Sequence, residues 1–148
     1  MTETENLLKT PLNDLHRRQG GKLVPFAGYA LPVQYTSGIM AEHNHTRAQA
    51  GLFDVSHMGQ VFISHKTNPR HEAIADLLER AVSGDLRSLG PGEMRYTLLL
   101  NDVGGIVDDL IVTRSSLQDD DGSLFLIVNA ACKPVSYTHL TLPTICSV

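Results

Sequence analysis

Apolar residues spaced three and four apart, together with residues typical of helix ends, predict three helices in this chain. The clearest stripe follows Asn68-Pro69, where apolar side chains recur at i, i+3, i+4 and i+7, namely Ile74, Leu77, Leu78 and Ala81. Residues 7–19 carry leucines at near-helical spacing, and Ser37 or Thr36 can cap a further helix that runs to about residue 50. Glycines follow all three segments, as is typical of helix ends.

In the second half of the chain, short runs rich in apolar and β-branched residues are bounded by turn residues, which is typical of β-strands. Residues 95–101 and 106–114 flank Gly104-Gly105 and predict a hairpin, and residues 123–129 predict a last strand after an acidic loop. Helices that interleave with hairpin-linked strands indicate an α+β fold with a largely antiparallel sheet and packed helices.

Two earlier segments have a less regular pattern. Residues 52–64 predict two short strands broken around Ser56-His57, and the second has apolar residues toward both faces, as in a strand covered on both sides. Residues 22–32 contain Pro25 and Gly28, which indicates irregular extended chain and not a central strand.

Composition and charge narrow the class of protein. The chain has 148 residues, 12 basic and 16 acidic side chains and a formal net charge of -4, which argues against a nucleic-acid partner. No apolar run approaches the roughly 20 residues needed to span a bilayer, and the acidic start lacks the apolar region of a signal peptide. Two cysteines are too few for a disulfide framework. We therefore expect a cytoplasmic protein without a membrane partner.

Adjacent carboxylates on one predicted strand are the first candidate for chemistry. Asp108 and Asp109 point to opposite faces, because side chains alternate along a strand, and apolar neighbours flank both. At least one carboxylate should therefore meet a pocket or a hydrogen-bonding partner, since an unpaired buried ion is costly. The alternative is a structural carboxylate that bonds a loop or caps a helix.

Other candidates have less support from spacing. Asp54, Ser56 and His57 contain the residue types of a hydrolase triad, but adjacent serine and histidine side chains diverge along a strand and no nucleophile-elbow motif is present. His43 and His45 point in nearly opposite directions on a helix, so we expect no metal site.

Several strings, in order, resemble one family. The two most specific are Leu-Phe-Asp-Val-Ser-His-Met-Gly at residues 52–59 and Gly-Gly-Ile-Val-Asp-Asp-Leu-Ile-Val at residues 104–112. They are joined by Val-Pro-Phe-Ala-Gly-Tyr at 24–29, Tyr-Thr-Leu-Leu-Leu-Asn at 96–101 and Val-Asn-Ala-Ala at 128–131. Together they resemble the amino-terminal third of the aminomethyltransferase, or T-protein, family of the glycine cleavage system.

The resemblance implies a fold, a reaction and partners. It implies the incomplete first part of the folate-binding aminomethyltransferase fold. Members of this family take the aminomethyl group from the lipoyl arm of the H-protein, release ammonia and pass the methylene group to tetrahydrofolate. The family's later folate contacts have no counterpart before residue 133, so we expect the 148 residues alone to be inactive.

The same resemblance implies four site residues. Asp109 matches the carboxylate that orients or deprotonates the attacking folate amine. Met58 and Tyr96 match residues that pack on the pterin, and Asn129 matches a polar position beside the pocket. Two alternatives stay open: a folate-dependent demethylase of the sarcosine or dimethylglycine dehydrogenase type, and a non-enzymatic folate-binding protein of iron–sulfur cluster assembly.

The last residues differ in character from the rest. Residues 134–148 carry no Asp, Glu, Lys or Arg, and ordinary codons for residues 135–144 can give a string that resembles an adapter sequence used to prepare sequencing libraries. The alternative is a β-prone tail that matches the adapter by chance. We therefore expect residues 1–133 to be the amino-terminal part of a folate-binding aminomethyltransferase domain, and residues 134–148 to be a non-native read-through tail.

Overall fold

The structure, a computed structural model, describes residues 6–65 and 67–141. The chain divides into two compact units, Met1–His57 and Met58–Val148, and each is described by itself. Helices and antiparallel strands make up both, which confirms the predicted α+β class with a largely antiparallel sheet.

The amino-terminal unit contains a two-stranded hairpin between two helices. Its elements are α1 (Asn13–Arg18), β1 (Lys22–Phe26), β2 (Tyr29–Gln34) and α2 (Ile39–Ala48). The prediction of irregular chain over residues 22–32 is wrong, because β1 and β2 pair along their whole length. Ala27 and Gly28 both have positive φ, the turn geometry that matches strand twist in a two-residue hairpin. A two-stranded ribbon has only edge strands, which tolerate the missing N–H of Pro25.

The carboxy-terminal unit is built on a four-stranded sheet in the order β3-β6-β5-β4, with every pair antiparallel. The strands are β3 (Gly59–Ser64), β4 (Met94–Leu100), β5 (Ile106–Arg114) and β6 (Ser123–Val128). The predicted hairpin and last strand are confirmed. The strand predicted before Ser56 is wrong, since residues 51–55 form neither helix nor strand.

One face of this sheet is buried beneath α3 (His71–Leu78). Ile74, Ala75 and Leu78 come from α3, and the sheet adds alternate residues to the same core: Val61, Ile63, Leu99, Leu110, Val112, Leu124, Leu126 and Val128. The helix ends at Leu78, before the predicted Gly84, and a short turn carries Val82 to an isolated bridge with Leu99.

The opposite face of the sheet is largely open. Along β3 burial alternates strictly, and Phe62 is 68% exposed, so the prediction of a strand covered on both sides is wrong. Met94 and Tyr96 of β4 are exposed on their strand as well. The half-buried Asp109 faces Leu98 in register, two residues along β4 from Tyr96, so Asp109 and Tyr96 lie on this open face.

A last helix, α4 (Lys133–Thr141), follows β6 and was not predicted. Ser136 and Leu140 are buried on it, and Nε2 of His139 lies 2.8 Å from the carbonyl oxygen of Leu100. The remainder of the predicted tail, residues 142–148, lies outside the described residues. In the described part of the chain no helix is long and apolar enough to cross a bilayer.

Candidate functional site

Asp109 is held on the open face of the sheet by a tyrosine of the neighbouring strand. The hydroxyl of Tyr96 donates to Oδ2 of Asp109 over 2.7 Å. The register pairs Tyr96 with Ile111, so the bond runs diagonally between β4 and β5, within reach of a long aromatic side chain. It raises the pKa of the Tyr96 phenol, and burial and the charges of Asp109 and Asp108 act in the same direction.

Asn129 holds the other oxygen of the same carboxylate. It directly follows β6, and its Nδ2 lies 3.0 Å from Oδ1 of Asp109 and 2.9 Å from the Asp109 carbonyl oxygen. The structure therefore brings three of the four predicted site residues together: Tyr96, Asp109 and Asn129. Each Asp109 oxygen accepts one of these side-chain bonds and keeps lone-pair capacity for another donor.

Met58 lies at the same end of the sheet. It immediately precedes Gly59, which pairs with Val128, and Asn129 immediately follows Val128. The antiparallel ladder thus places Met58 beside the residue that holds Asp109, and its side chain is half-buried. The strand register, and not a hydrogen bond, places the Met58 side chain near the other three predicted site residues.

The neighbouring carboxylate has the opposite environment. Asp108 is 4% exposed, and its oxygens accept bonds from the main-chain N–H of Asp109 and of Asn129, from Nδ2 of Asn129 and from the hydroxyl of Ser136. The two aspartates therefore differ: Asp108 is buried with donors on both of its oxygens, and Asp109 lies half-buried on the open face.

A thiol lies beside Asp108. Burial and, after it, the charge of Asp108 and a hydrogen bond to that carboxylate raise the pKa of the Cys132 thiol. The charge of Asp109 adds to the same effect. Cys132 is a free cysteine and is held in its neutral form, which makes it a poor nucleophile.

The amino-terminal unit contains a second polar cluster that sequence reasoning missed. Nε2 of His16 lies 2.8 Å from Oδ2 of Asp54, and its Nδ1 lies 2.6 Å from the Tyr35 hydroxyl. Thr10 donates to the same Asp54 oxygen, and Ser56 donates to the other one through both its main-chain N–H and its hydroxyl. No spacing rule joins residues 38 positions apart, so the chain offers no signal for this pair.

The contacts of this cluster show that Asp54, Ser56 and His57 do not form a hydrolase triad. Asp54 pairs with His16, while His57 is buried and packs edge-on against the rings of Phe26 and Tyr29. Burial would raise the pKa of Asp54, but the hydrogen bonds from His16, Ser56 and Thr10 outweigh it and lower that pKa well below its usual range. An ion already saturated by donors is suited to holding three chain segments together.

A cavity of about 890 Å³ adjoins this cluster, lined in part by His16, Tyr35, Glu42, Phe53 and Asp54. None of the four predicted site residues lines it. Among residues 6–65 and 67–141, no group of three or more His, Cys, Asp or Glu side chains is placed to hold a metal ion.

An antiparallel α+β domain that presents one clamped carboxylate on an open sheet face matches a known class. The family model described as GCVT N-terminal domain matches residues 12–143. The chain belongs to this family.

Proteins named aminomethyltransferase are similar to this chain in sequence. The chain is 49% identical over 128 residues to an aminomethyltransferase of Prochlorococcus marinus (strain MIT 9303), covering 86% of this chain and 32% of the relative. It is 46% identical over 128 residues to a mitochondrial aminomethyltransferase of Gallus gallus, covering 86% of this chain and 30% of the relative. The chain therefore spans about a third of the length of these relatives.

A solved structure shares the fold. The crystal structure of glycine cleavage system aminomethyltransferase T from Bartonella henselae superposes with a TM-score of 0.78 at 37% identity, over 90% of this chain and 34% of that one. The resemblance to the first part of the aminomethyltransferase fold is thus confirmed. These names do not favour the demethylase or the iron–sulfur assembly alternative.

Proposed function

We propose that this chain forms the first part of an aminomethyltransferase of the glycine cleavage system. The enzyme would move a methylene group from the aminomethyl-lipoyl arm of the H-protein to tetrahydrofolate, with release of ammonia. The observation that carries the proposal is the carboxylate of Asp109, half-buried on the open sheet face and clamped between Tyr96 and Asn129.

Asp109 would act as the catalytic carboxylate. An ionised carboxylate can accept the proton that the attacking folate amine loses, and it stabilises cationic amine or iminium character beside it. Two anchoring bonds fix the direction of its remaining lone pairs, which a freely rotating aspartate would not do.

The residues around Asp109 fit a flat heterocycle. The ring of Tyr96 is 65% exposed beside the carboxylate, and a half-buried thioether, Met58, lies at the same end of the sheet. A ring and a polarisable sulfur are suitable packing surfaces for a pterin. Tetrahydrofolate, when bound, would supply the nitrogen that receives the methylene group, and Asn129 would border the site.

The partner and the location follow from the same proposal. The lipoylated H-protein would be the protein partner, with no nucleic-acid and no membrane partner. The similarity to cyanobacterial relatives supports a bacterial cytoplasmic enzyme, while relatives named mitochondrial come from Gallus gallus and Dictyostelium discoideum.

The origin of residues 134–148 stays a prediction. We propose that native sequence ends near Lys133 and that the rest is a read-through tail, supported by its lack of charge and its adapter-like codons. Apolar residues at helical spacing suffice for a helix such as α4 to pack, so packing does not distinguish the origins. Sequencing the locus decides: a genomic reading that encodes this tail overturns the proposal.

A chimera tests the function. Residues 1–133 of this chain replace the matched third of the Prochlorococcus marinus (strain MIT 9303) aminomethyltransferase, and ammonia release and methylenetetrahydrofolate formation are measured with aminomethylated H-protein. We expect activity in the chimera and no change in Asp102→Asn, a matched exposed aspartate. We expect Asp109→Asn to lower kcat by about 10²- to 10⁴-fold, to a rate that is still measurable, with tetrahydrofolate binding retained. Unchanged turnover in Asp109→Asn would show that the carboxylate is structural.

A further inference from the structure

Asp108 is a buried carboxylate for which the proposed reaction has no direct use. It faces the sheet core, between residues that are almost completely buried, Leu99 opposite it and Leu110 two positions along β5. A carboxylate in such a place is costly unless its lone pairs are satisfied. Its retention there therefore needs an explanation in what it contacts.

Donors approach Asp108 from both sides. Oδ1 accepts from Nδ2 of Asn129 at 2.9 Å and from the main-chain N–H of Asp109 at 3.0 Å. Oδ2 accepts from the main-chain N–H of Asn129 at 3.2 Å and from the hydroxyl of Ser136 at 2.8 Å. Three of these four donors belong to Asp109 or Asn129, the two residues at the candidate site.

The same amide nitrogen contacts both carboxylates. Nδ2 of Asn129 is shared among Oδ1 of Asp108, Oδ1 of Asp109 and the carbonyl oxygen of Asp109. All three are acceptors, so the amide must direct its nitrogen, and not its oxygen, to this side. Asp108 thereby fixes the orientation of the group that fixes Asp109.

Neighbouring backbone geometry is also arranged around Asp108. The register of β4 and β5 shifts between Leu99 and Leu100, where Leu99 pairs with Asp108 and Leu100 pairs with Ile106. The β5–β6 ladder ends at Leu110 and Val128, and beyond it the Asn129 N–H bonds to the Asp108 side chain. Such irregularities are found beside active sites, where they direct a side chain.

We propose that Asp108 is a positioning residue: through Asn129 and the Asp109 main chain it holds the Asp109 carboxylate in its productive direction. This inference rests on the proposed function for its activity readout. The inference itself is that Asp108 affects turnover only through its effect on the position of the Asp109 carboxylate.

Asp108→Asn is the informative substitution because it keeps the shape. Each oxygen of Asp108 accepts from at least one N–H of Asp109 or Asn129, residues that the chimera retains, so an asparagine in either orientation presents its own NH₂ to such an N–H. We therefore expect Asn129 to shift and the Asp109 carboxylate to lose its direction. Misplacement on the scale of 1 Å costs on the order of 10²-fold in turnover.

The test is a double-variant cycle in the chimera, with kcat and the KM for tetrahydrofolate measured separately. We expect Asp108→Asn to lower kcat by about 10²-fold, with a smaller change in KM, and to have no further effect in the Asp109→Asn background. An equal loss of kcat in both backgrounds means that Asp108 only supports the fold, and it overturns the proposal. Asp102→Asn is the matched control.

Two further measurements keep the outcomes distinct. If Asp108→Asn does not fold, Asp108→Glu, which retains the charge but displaces the oxygens, is expected to give the same dependence on Asp109. If the unsubstituted chimera is inactive, the proposed function fails, and a crystal structure of this chain with Asp108→Asn decides the positioning role. Loss of the Asn129–Asp109 contact supports that role, and an unmoved Asp109 carboxylate overturns it.

Discussion

The phenol of Tyr96, on β4, donates a hydrogen bond of 2.7 Å to the carboxylate of Asp109 on the neighbouring strand β5. Tyr96 is otherwise exposed. The hydrogen bond is the largest cause of the raised pKa of this phenol. A donor that resists ionisation keeps one oxygen of the carboxylate occupied around neutral pH, well below the ordinary tyrosine pKa of 10.0.

The first prediction concerns this bond. Asp109→Asn removes the acceptor charge, so the pKa of Tyr96 should fall toward the ordinary tyrosine value of 10.0. Tyrosine-labelled NMR spectra of the chain, recorded against pH, measure it. Tyr35 is the internal control, because its raised pKa comes from burial, Glu42 and Asp54. An unmoved Tyr96 titration would count against the bond.

A second prediction concerns the ion pair of the amino-terminal unit. The side chains of His16 and Asp54 are only 8% and 5% exposed, so His16→Ala leaves a buried carboxylate without its main partner. We expect a loss of about 3 kcal/mol in the free energy of unfolding, measured with urea. His43→Ala, on the exposed surface of α2, is the control and should cost little. Equal effects of the two substitutions would contradict the prediction.

Acid should weaken the same unit. Asp54 has a pKa below its unfolded value, so the folded state binds its proton less readily than the unfolded state does. Its contribution to stability is present above the unfolded pKa of about 4 and is lost as the pH falls toward the folded pKa. The free energy of unfolding, measured with urea at several pH values, should therefore fall more steeply between about pH 5 and about pH 3 for the unsubstituted chain than for Asp54→Asn. Parallel curves would refute this.

Cys132 offers a chemical measure of the charge on Asp108. Burial and that charge raise the pKa of the thiol, so removing the charge in Asp108→Asn should increase the thiolate fraction. With Cys146→Ser present in every sample, we expect faster alkylation by iodoacetamide at about pH 8. A Ser136→Ala variant keeps the charge and should react like the parent chain. A rate unaffected by Asp108→Asn would show that Cys132 does not sense this carboxylate.

The chain by itself should not catalyse the transfer. It spans about a third of its relatives, and the folate contacts that the family resemblance implies beyond residue 133 have no counterpart in it. We expect no methylenetetrahydrofolate above background when the purified chain is mixed with aminomethylated H-protein and tetrahydrofolate, under conditions in which the chimera is active. Measurable transfer by the chain would overturn this expectation.

The features that the sequence predicts correctly depend on residues that are close together in the chain. Period-two alternation places Asp108 and Asp109 on opposite faces, and the structure agrees, since one is buried and the other lies on the open face. The glycine pair at residues 104–105 likewise identifies the hairpin of β4 and β5. These features depend on neighbours in the chain, and so they can be derived before any fold is known.

Features that depend on distant contacts are absent from the pattern. Nothing local in the sequence distinguishes the buried His16 from the histidines on the surface. Its partner Asp54 resembles a turn carboxylate, a role it also has toward Ser56. The paired strands around Ala27 and Gly28 were obscured by prolines, which are tolerated here because both strands of a two-stranded ribbon are edge strands. The role of Asn129 as a bridge likewise requires the β5–β6 register.

The buried environment of Asp108 also has a consequence for how β5 aligns with its neighbours. A slip of one residue that brings Val107 to the position of Asp108 would place an apolar side chain against the donors that Asp108 now satisfies. It would also turn Asp108 out to the open face and bring Asp109 into the core, at the position of Leu110. Several N–H and O–H groups would then be buried without acceptors, each at a cost of about 1–3 kcal/mol. Asp108 thus makes the correct alignment of β5 more stable than this slipped one, even though both alignments place a carboxylate on the open face.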